Sequence, residues 1–434
     1  MISIFRRILL IFLLTFAPIA MMSQVKIRVE IDGYQDSIFF LLKYKSDKSL
    51  IVIDSSTISN EEKVFKASNN YPEGIYVLAD SKQNPLLEML IGKDQKFSVK
   101  VGDLMRNDTY IIKGSKETAA YFDIYNRTNY NKLYIKALES EINYFPDNAK
   151  KIDSIKLNHN KYLESIKIKY RNSFLRTYIE FNKEIIIPQE YKSNSEQYII
   201  DHYFDHISFR DVRILNTRLL KNKLDDYFNN YMSEQSTDVI LQKIDYLINK
   251  PKAGFRDYIP QDLYKIRDYI LWYLYSKYFD NDLIYIHLSD VYFSKLEINN
   301  LTQNIRNEIV KRADILRKIT IGNYSPTFTY IDDEGNQIDL SKIDSENTIL
   351  FFYKPDCQKC IREKRILGLI KNRHENLTIL YINISEENYS KVSQDIAVQY
   401  DITTTPSIYI LDKEKRIIAK NIKAEDIEFH LIKR

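Results

Sequence analysis

From Val25 the chain alternates strictly. Val25, Ile27, Val29 and Ile31 are apolar, Lys26, Arg28 and Glu30 are charged, and the run ends at Asp32-Gly33. Successive strand side chains point to opposite faces, so a period of two predicts a half-buried strand. Similar short runs at Ile38 to Leu42, Leu50 to Asp54, Ile75 to Leu78, Leu86 to Ile91 and Phe97 to Val101 predict more strands, punctuated by Pro72-Glu73-Gly74 and Gly92-Lys93-Asp94. Strands this short and closely spaced predict an all-β antiparallel sandwich or barrel over residues 24–116.

The period then lengthens. Ile152, Ile155, Tyr162, Leu163, Ile166 and Tyr170 recur three and four apart with Lys, Asp, Glu and Asn between them, which predicts one apolar helix face. Gly254 is the only glycine between residues 117 and 318, and Pro146, Pro188, Pro251 and Pro260 mark breaks, so this stretch is expected to be all-α. From 319 to 434 the pattern mixes. Strands are predicted at Thr327 to Ile331, Ile349 to Tyr353, Leu377 to Ile382, Ser407 to Leu411 and Arg416 to Lys420. Helices are predicted at Gln358 to Lys371, Glu386 to Tyr400 and from Ala424 onward, giving an α/β layered domain.

The first residues carry a different pattern. Arg6-Arg7 precede an apolar run from Ile8 to Ala20 and then Met21-Met22-Ser23, the charged, apolar and polar order of a secretory signal over residues 1–23. The run is shorter than the roughly 20 apolar residues a membrane span needs, and no later segment is apolar enough, so no transmembrane span is expected in the mature form. The chain has 434 residues, 63 of them basic and 59 acidic, for a formal charge of +4, and this balance does not point to nucleic acid. No GxxxxGK or GxGxxG run is present, which removes the usual phosphate-cradling loops.

Cysteine usage narrows the chemistry. An exported chain held by structural disulfides usually has several pairs, whereas the two cysteines here form a single Cys357-Gln358-Lys359-Cys360 motif. A bridge closing so short a loop constrains the unfolded chain very little, so a redox role is the better explanation. The motif follows the apolar strand ending at Tyr353 and opens the next helix. The free amides and dipole there favour the thiolate of Cys357, Lys359 and Arg362 are expected to favour it further, and Asp356 to oppose it. Cys360, one turn on and deeper, suits a resolving thiol. Zinc would need two more ligands, and neither His374 nor His430 has ligand spacing; no metal or cofactor is expected. His202 and His206 stand four apart without a third ligand at motif spacing, and Tyr269, Trp272, Tyr273 and Tyr275 are expected to pack between helices rather than line a groove.

A second element is Thr403-Thr404-Thr405-Pro406-Ser407, with its proline 46 residues after Cys360 and just before a strand. A cis proline facing the dithiol would present the backbone of Thr405 to an extended substrate segment.

These motifs resemble the thioredoxin superfamily, and within it the exported TlpA/ResA-type thiol-disulfide oxidoreductases. The resemblance covers about Ile321 to Arg434 and includes Gly322-Asn323-Tyr324-Ser325-Pro326-Thr327-Phe328, Asp333-Glu334-Gly335, the dithiol, Thr405-Pro406 and Leu411-Asp412-Lys413. It implies a thioredoxin fold in residues 319–434, with a fused β domain and helical region upstream. Asp356 and Lys359 replace the family's Trp and Pro beside the cysteines, and Phe351 stands where thioredoxin has a buried acid, leaving Glu363 or water to accept a proton. Lys354 stands where related peroxidases carry Thr or Ser, so peroxidase chemistry is not expected. The implied activity is disulfide exchange with client proteins in the periplasm or cell envelope, with a membrane thiol-disulfide donor or acceptor recycling the Cys357-Cys360 pair. The alternative is a cell-envelope binding or scaffold protein whose thioredoxin-like module docks with little turnover.

Overall fold

The computed structural model describes residues 24–34, 36–45, 49–59, 62–102, 109–252, 260–332, 334–385 and 391–432. The expected signal segment, Asp333, Gly254 and the start of the helix expected from Glu386 lie outside them. The chain falls into two compact units, residues 1–236 with 246–269, and residues 237–245 with 270–434.

The first unit begins with two sheets. β1 (Val25–Ile31), β4 (Thr57–Ser59), β5 (Glu62–Ala67), β8 (Lys96–Val101) and β9 (Tyr110–Lys113) form one, in the order β4-β5-β1-β8-β9. β2 (Phe40–Tyr44), β3 (Leu50–Ser55), β6 (Gly74–Ala79) and β7 (Pro85–Ile91) form the other, in the order β3-β2-β6-β7. Alternation in β1 is realised as expected, with its four apolar residues buried and its charged ones exposed. The expected purely antiparallel arrangement is not: β1 pairs antiparallel with β5 but parallel with β8. A period of two fixes which side chains face the core, not which way a distant partner strand runs.

Helices complete this unit: α1 (Lys116–Ser140), α2 (Asn148–Lys169), α3 (Phe174–Asn182), α4 (Ser195–His202) and α5 (Leu219–Asn230). Ser115 caps α1 by accepting the Thr118 amide, and the Thr118 hydroxyl donates to the carbonyl of Leu90 at 2.9 Å, tying the helix start to β7. α6 (Thr237–Asn249) and α7 (Gln261–Lys277) have residues in both units.

In the second unit α8 (Asp282–His287) runs into a π-helical turn at Leu288–Phe293, and α9 (Gln303–Lys318) follows. β10 (Thr329–Ile331) and β11 (Gln337–Asp339) form a hairpin. The main sheet contains β12 (Asn347–Tyr353), β13 (Leu377–Asn383), β14 (Ser407–Leu411) and β15 (Ile417–Lys420), in the order β13-β12-β14-β15. β12 is parallel to β13 and antiparallel to β14, which is antiparallel to β15. α10 (Gln358–Lys371) follows β12, α11 (Lys391–Gln399) follows β13, and α12 (Ile427–Ile432) closes the chain.

β12 is a continuous apolar run because both of its faces are covered. Ile349, Phe351 and Tyr353 pack with Cys360, Leu367 and Ile370 of α10 in one cluster. Phe352 packs on the other side with Tyr400 and Tyr409, at ring distances of 5.3 and 5.9 Å. The Gly322–Ser325 segment runs beside the β14-β15 hairpin, with the Gly322 amide donating to Ile417 and the Ser325 amide to Lys415.

Candidate active site

Cys357 is where it is because β12 ends at Tyr353 and Lys354-Pro355-Asp356 cannot continue the ladder. Its backbone is extended, with φ −81° and ψ 110°, which makes it the N-cap of α10. The Cys357 sulfur takes the role usually played by a Ser or Asp oxygen: it accepts the Cys360 amide at 3.2 Å. The two cysteines are joined as a disulfide with their Cα atoms 5.2 Å apart. They differ in access, Cys357 being half-buried and Cys360 only 1 % exposed.

Across from the dithiol, the Thr405 carbonyl oxygen stands 3.9 Å from Cys357 Sγ, and the Thr405-Pro406 peptide is cis. The structure therefore brings Thr405 and Cys357 together from 48 residues apart. The Asn421 amide donates to Ile408 at 2.8 Å and the Ser407 hydroxyl contacts Asn421 Oδ1 at 3.0 Å, anchoring the strand that follows the proline.

The charged neighbours are arranged unequally. Asp356 and Lys359 are exposed, and the Arg362 guanidinium is paired with Glu425. Glu363 is 9 % exposed, and its Oε2 accepts the Ala424 amide at 2.6 Å. It lies one helical turn beyond Cys360, on the same face of α10. Phe351, the core residue under the dithiol, stacks on Tyr353 at 5.6 Å, so this part of the central strand is apolar.

Beside the dithiol helix lies a recess of about 700 Å³. Lys359, Glu363 and Pro406 line one side, and Asp280, Arg312 and Leu316 the other. Two ion pairs hold that second wall. Arg312 reaches both oxygens of Asp401 at 2.7 to 3.0 Å and donates to the carbonyl of Phe279, while Lys420 pairs with Asp282. No sequence motif marks these pairs, whose partners are 89 and 138 residues apart. Arg312 and Asp282 read simply as charged positions in a helical stretch, and Asp401 as a charge at the end of a helix.

The remaining candidates lie elsewhere. His202 Nδ1 faces Asp205 at 2.7 Å, and burial pushes the His206 imidazole down to about 4. Trp272 packs edge-on against Tyr275 and Phe293, and Tyr275 packs tilted against Phe293, at 5.2 to 5.6 Å, the packing expected of them. Among the described residues, no helix is long and apolar enough to cross a membrane.

Residues 325–424 match the family model described as TraF, F plasmid transfer operon protein, and residues 25–121 match a domain of unknown function, DUF4369. Among solved structures, the chain is similar to a thioredoxin-like protein from Bacteroides caccae, at 18% identity over 57% of this chain and 97% of that one, with a TM-score of 0.45. It is also similar to a domain of a possible thiol-disulfide isomerase from Cytophaga hutchinsonii, at 29% identity over 26% of this chain and 91% of that one, TM-score 0.24. A third is the thioredoxin domain of a thiol-disulfide oxidoreductase from Bacteroides vulgatus, at 22% identity over 26% of this chain and 95% of that one, TM-score 0.23. No curated protein sequence matches the chain.

Proposed function

We propose that the protein is an exported thiol-disulfide oxidoreductase of the TlpA/ResA type that exchanges disulfides with client proteins. One observation carries this reading: a half-buried sulfur caps a helix, accepts the amide of its partner cysteine at 3.2 Å and faces the Thr405 carbonyl at 3.9 Å. A thiolate at that position is favoured by the amide and by the helix dipole, and the thiolate is the nucleophile.

In the reduced enzyme, Cys357 attacks one sulfur of a client disulfide, forming a mixed disulfide and expelling the first client thiolate. Cys360 loses its proton and attacks Cys357 Sγ, which releases the second client thiolate and leaves Cys357 and Cys360 joined. Two electrons pass to the client, and each client thiolate takes up a proton. Glu363, buried one turn from Cys360, is placed to accept the Cys360 proton, because Phe351 offers no acceptor. The Thr405 backbone is placed to pair with an extended client segment beside the mixed disulfide. An external dithiol must then reduce the pair; a membrane thiol-disulfide partner in the cell envelope fits this need. Run backwards, the same steps oxidise a client.

The test is insulin reduction by the mature protein with dithiothreitol as the terminal reductant. Wild type is expected to accelerate it and Cys357→Ser to fall to the uncatalysed rate. Full activity in Cys357→Ser would remove the assignment.

A further inference from the structure

The recess beside the dithiol helix, lined by Pro406 but by neither cysteine, has an ionic lining that disulfide exchange itself does not require. Most of its charges are already partnered. Arg312 is held by Asp401, Lys420 by Asp282 and Arg362 by Glu425, while Glu363 is bonded to the Ala424 amide. Three lining charges, Lys359, Lys423 and Asp280, have no ion pair among the described residues.

Their placement is asymmetric. Lys359 lies between the two cysteines on α10, and Lys423 immediately precedes Ala424, whose amide binds Glu363; both belong to the dithiol side. Asp280 belongs to the opposite wall, just before α8. That wall is held in place: Arg312 and Asp401 are each 14 % exposed, and the Arg312 guanidinium also lies 3.7 Å from the Phe279 ring centre. A volume of about 700 Å³ admits a few side chains of an extended segment but no folded domain.

We propose that this recess is the client groove and that Lys359 and Lys423 select disulfides with a carboxylate side chain next to the attacked cysteine. The inference rests on the reading of Cys357 and Cys360 as an exchanging pair. A Glu or Asp beside the client cysteine brings its charge to the two free ammonium groups as the mixed disulfide forms. Asp280 across the groove disfavours further acidic residues at a distance, so one adjacent carboxylate is preferred over a uniformly acidic segment. Exposed ion pairs of this kind shift binding by about two- to fivefold each, more at low salt. The helical residues before the main sheet thus form the far wall of the substrate site.

The experiment measures kcat/KM of the full mature chain on disulfide-linked peptide dimers that differ only in the residue before Cys, Glu or Gln, with dithiothreitol as reductant. Because only the Glu-to-Gln ratio is read, changes in thiol reactivity common to both peptides cancel. Wild type is expected to prefer Glu about fivefold at 20 mM salt. Lys359→Gln with Lys423→Gln is expected to bring the ratio down to that of the uncatalysed reaction, and 0.5 M salt is expected to lower it in wild type. An equal ratio in wild type and the double variant overturns the proposal while the oxidoreductase reading stands. Failure of wild type to reduce either peptide overturns that reading and the proposal with it. Glutathione disulfide is run alongside, and faster turnover of it than of the Glu peptide overturns the assignment of the groove to protein segments.

Discussion

The carboxylate of Glu363 accepts the backbone amide of Ala424 at 2.6 Å, joining the dithiol helix to a residue 61 positions later. Glu363→Gln keeps an acceptor for that amide but removes the proton acceptor for Cys360. Turnover is expected to fall about tenfold or more, since positioned general bases contribute at least that much, while alkylation of Cys357 in the reduced protein stays within about twofold. Glu363→Ala also leaves the amide unpaired and is expected to cost about 1–3 kcal/mol of stability. Equal turnover of Glu363→Gln and wild type from pH 6 to 8 would reduce Glu363 to a structural tie.

The Cys357 sulfur sits at the mouth of α10. Its N-cap position and the Cys360 amide predict a thiol pKa below the free-cysteine value of about 8.5. The rate of iodoacetamide alkylation against pH in the Cys360→Ser variant is expected to have its midpoint under 8. A midpoint at 8.5 or higher contradicts the thiolate argument.

Arg312 and Asp401 link α9 to the turn ahead of Thr403 with three N–O contacts of 2.7 to 3.0 Å. Removing one partner of a buried pair strands the other charge. Arg312→Ala is expected to cost roughly 2–4 kcal/mol, below the fully buried range because both side chains keep some water contact. In urea, the transition of the C-terminal unit should shift and that of the first unit should not. A change under about 0.5 kcal/mol would show that the wall is held by other contacts.

His159 predicts a pH dependence of the first unit. Burial, with Arg127 and Lys132 nearby, pushes its imidazole down to about 4, and Nε2 faces the Thr128 hydroxyl at 3.2 Å. Between an unfolded value of about 6.5 and the folded value, the unfolded chain binds a proton that the folded chain does not. Stability therefore falls on acidification through that window, His159 contributing about 1–2 kcal/mol at pH 5 relative to pH 7 and His206 of the same unit, also pushed down to about 4 by burial, adding to it. His159→Gln should remove its own share of this slope and leave that of His206, whatever it does to stability at pH 7; an unchanged slope would rule His159 out as a source.

How far the sequence revealed the fold depends on the kind of signal. The helix expected at Gln358 to Lys371 and the strand at Ser407 to Leu411 have those bounds in the structure, because each is a clear run with a clean stop. The strand expected at Ile349 to Tyr353 extends back to Asn347. No apolar run predicts β4, β5, β9 or β11: Lys63 and Lys66 break the alternation of β5, and β4, β9 and β11 are too short for a period to show. The facing of Cys357 and Thr405 was legible as a pair of motifs, and the burial of Glu363 was not, since its neighbours Arg362 and Lys364 make it look like one more charge on a solvated helix. The recess was invisible, because its far wall comes from residues whose only distinction is a partner in distant sequence.

The central claim, that Cys357 attacks and Cys360 resolves, is tested most directly by trapping. The Cys360→Ser protein, expressed in its own cells and isolated under acid quench, is expected to carry client proteins disulfide-linked through Cys357, identifiable by mass spectrometry and lost in the Cys357→Ser, Cys360→Ser double variant. Recovery of the same adducts from the double variant, or of none from Cys360→Ser, would contradict it.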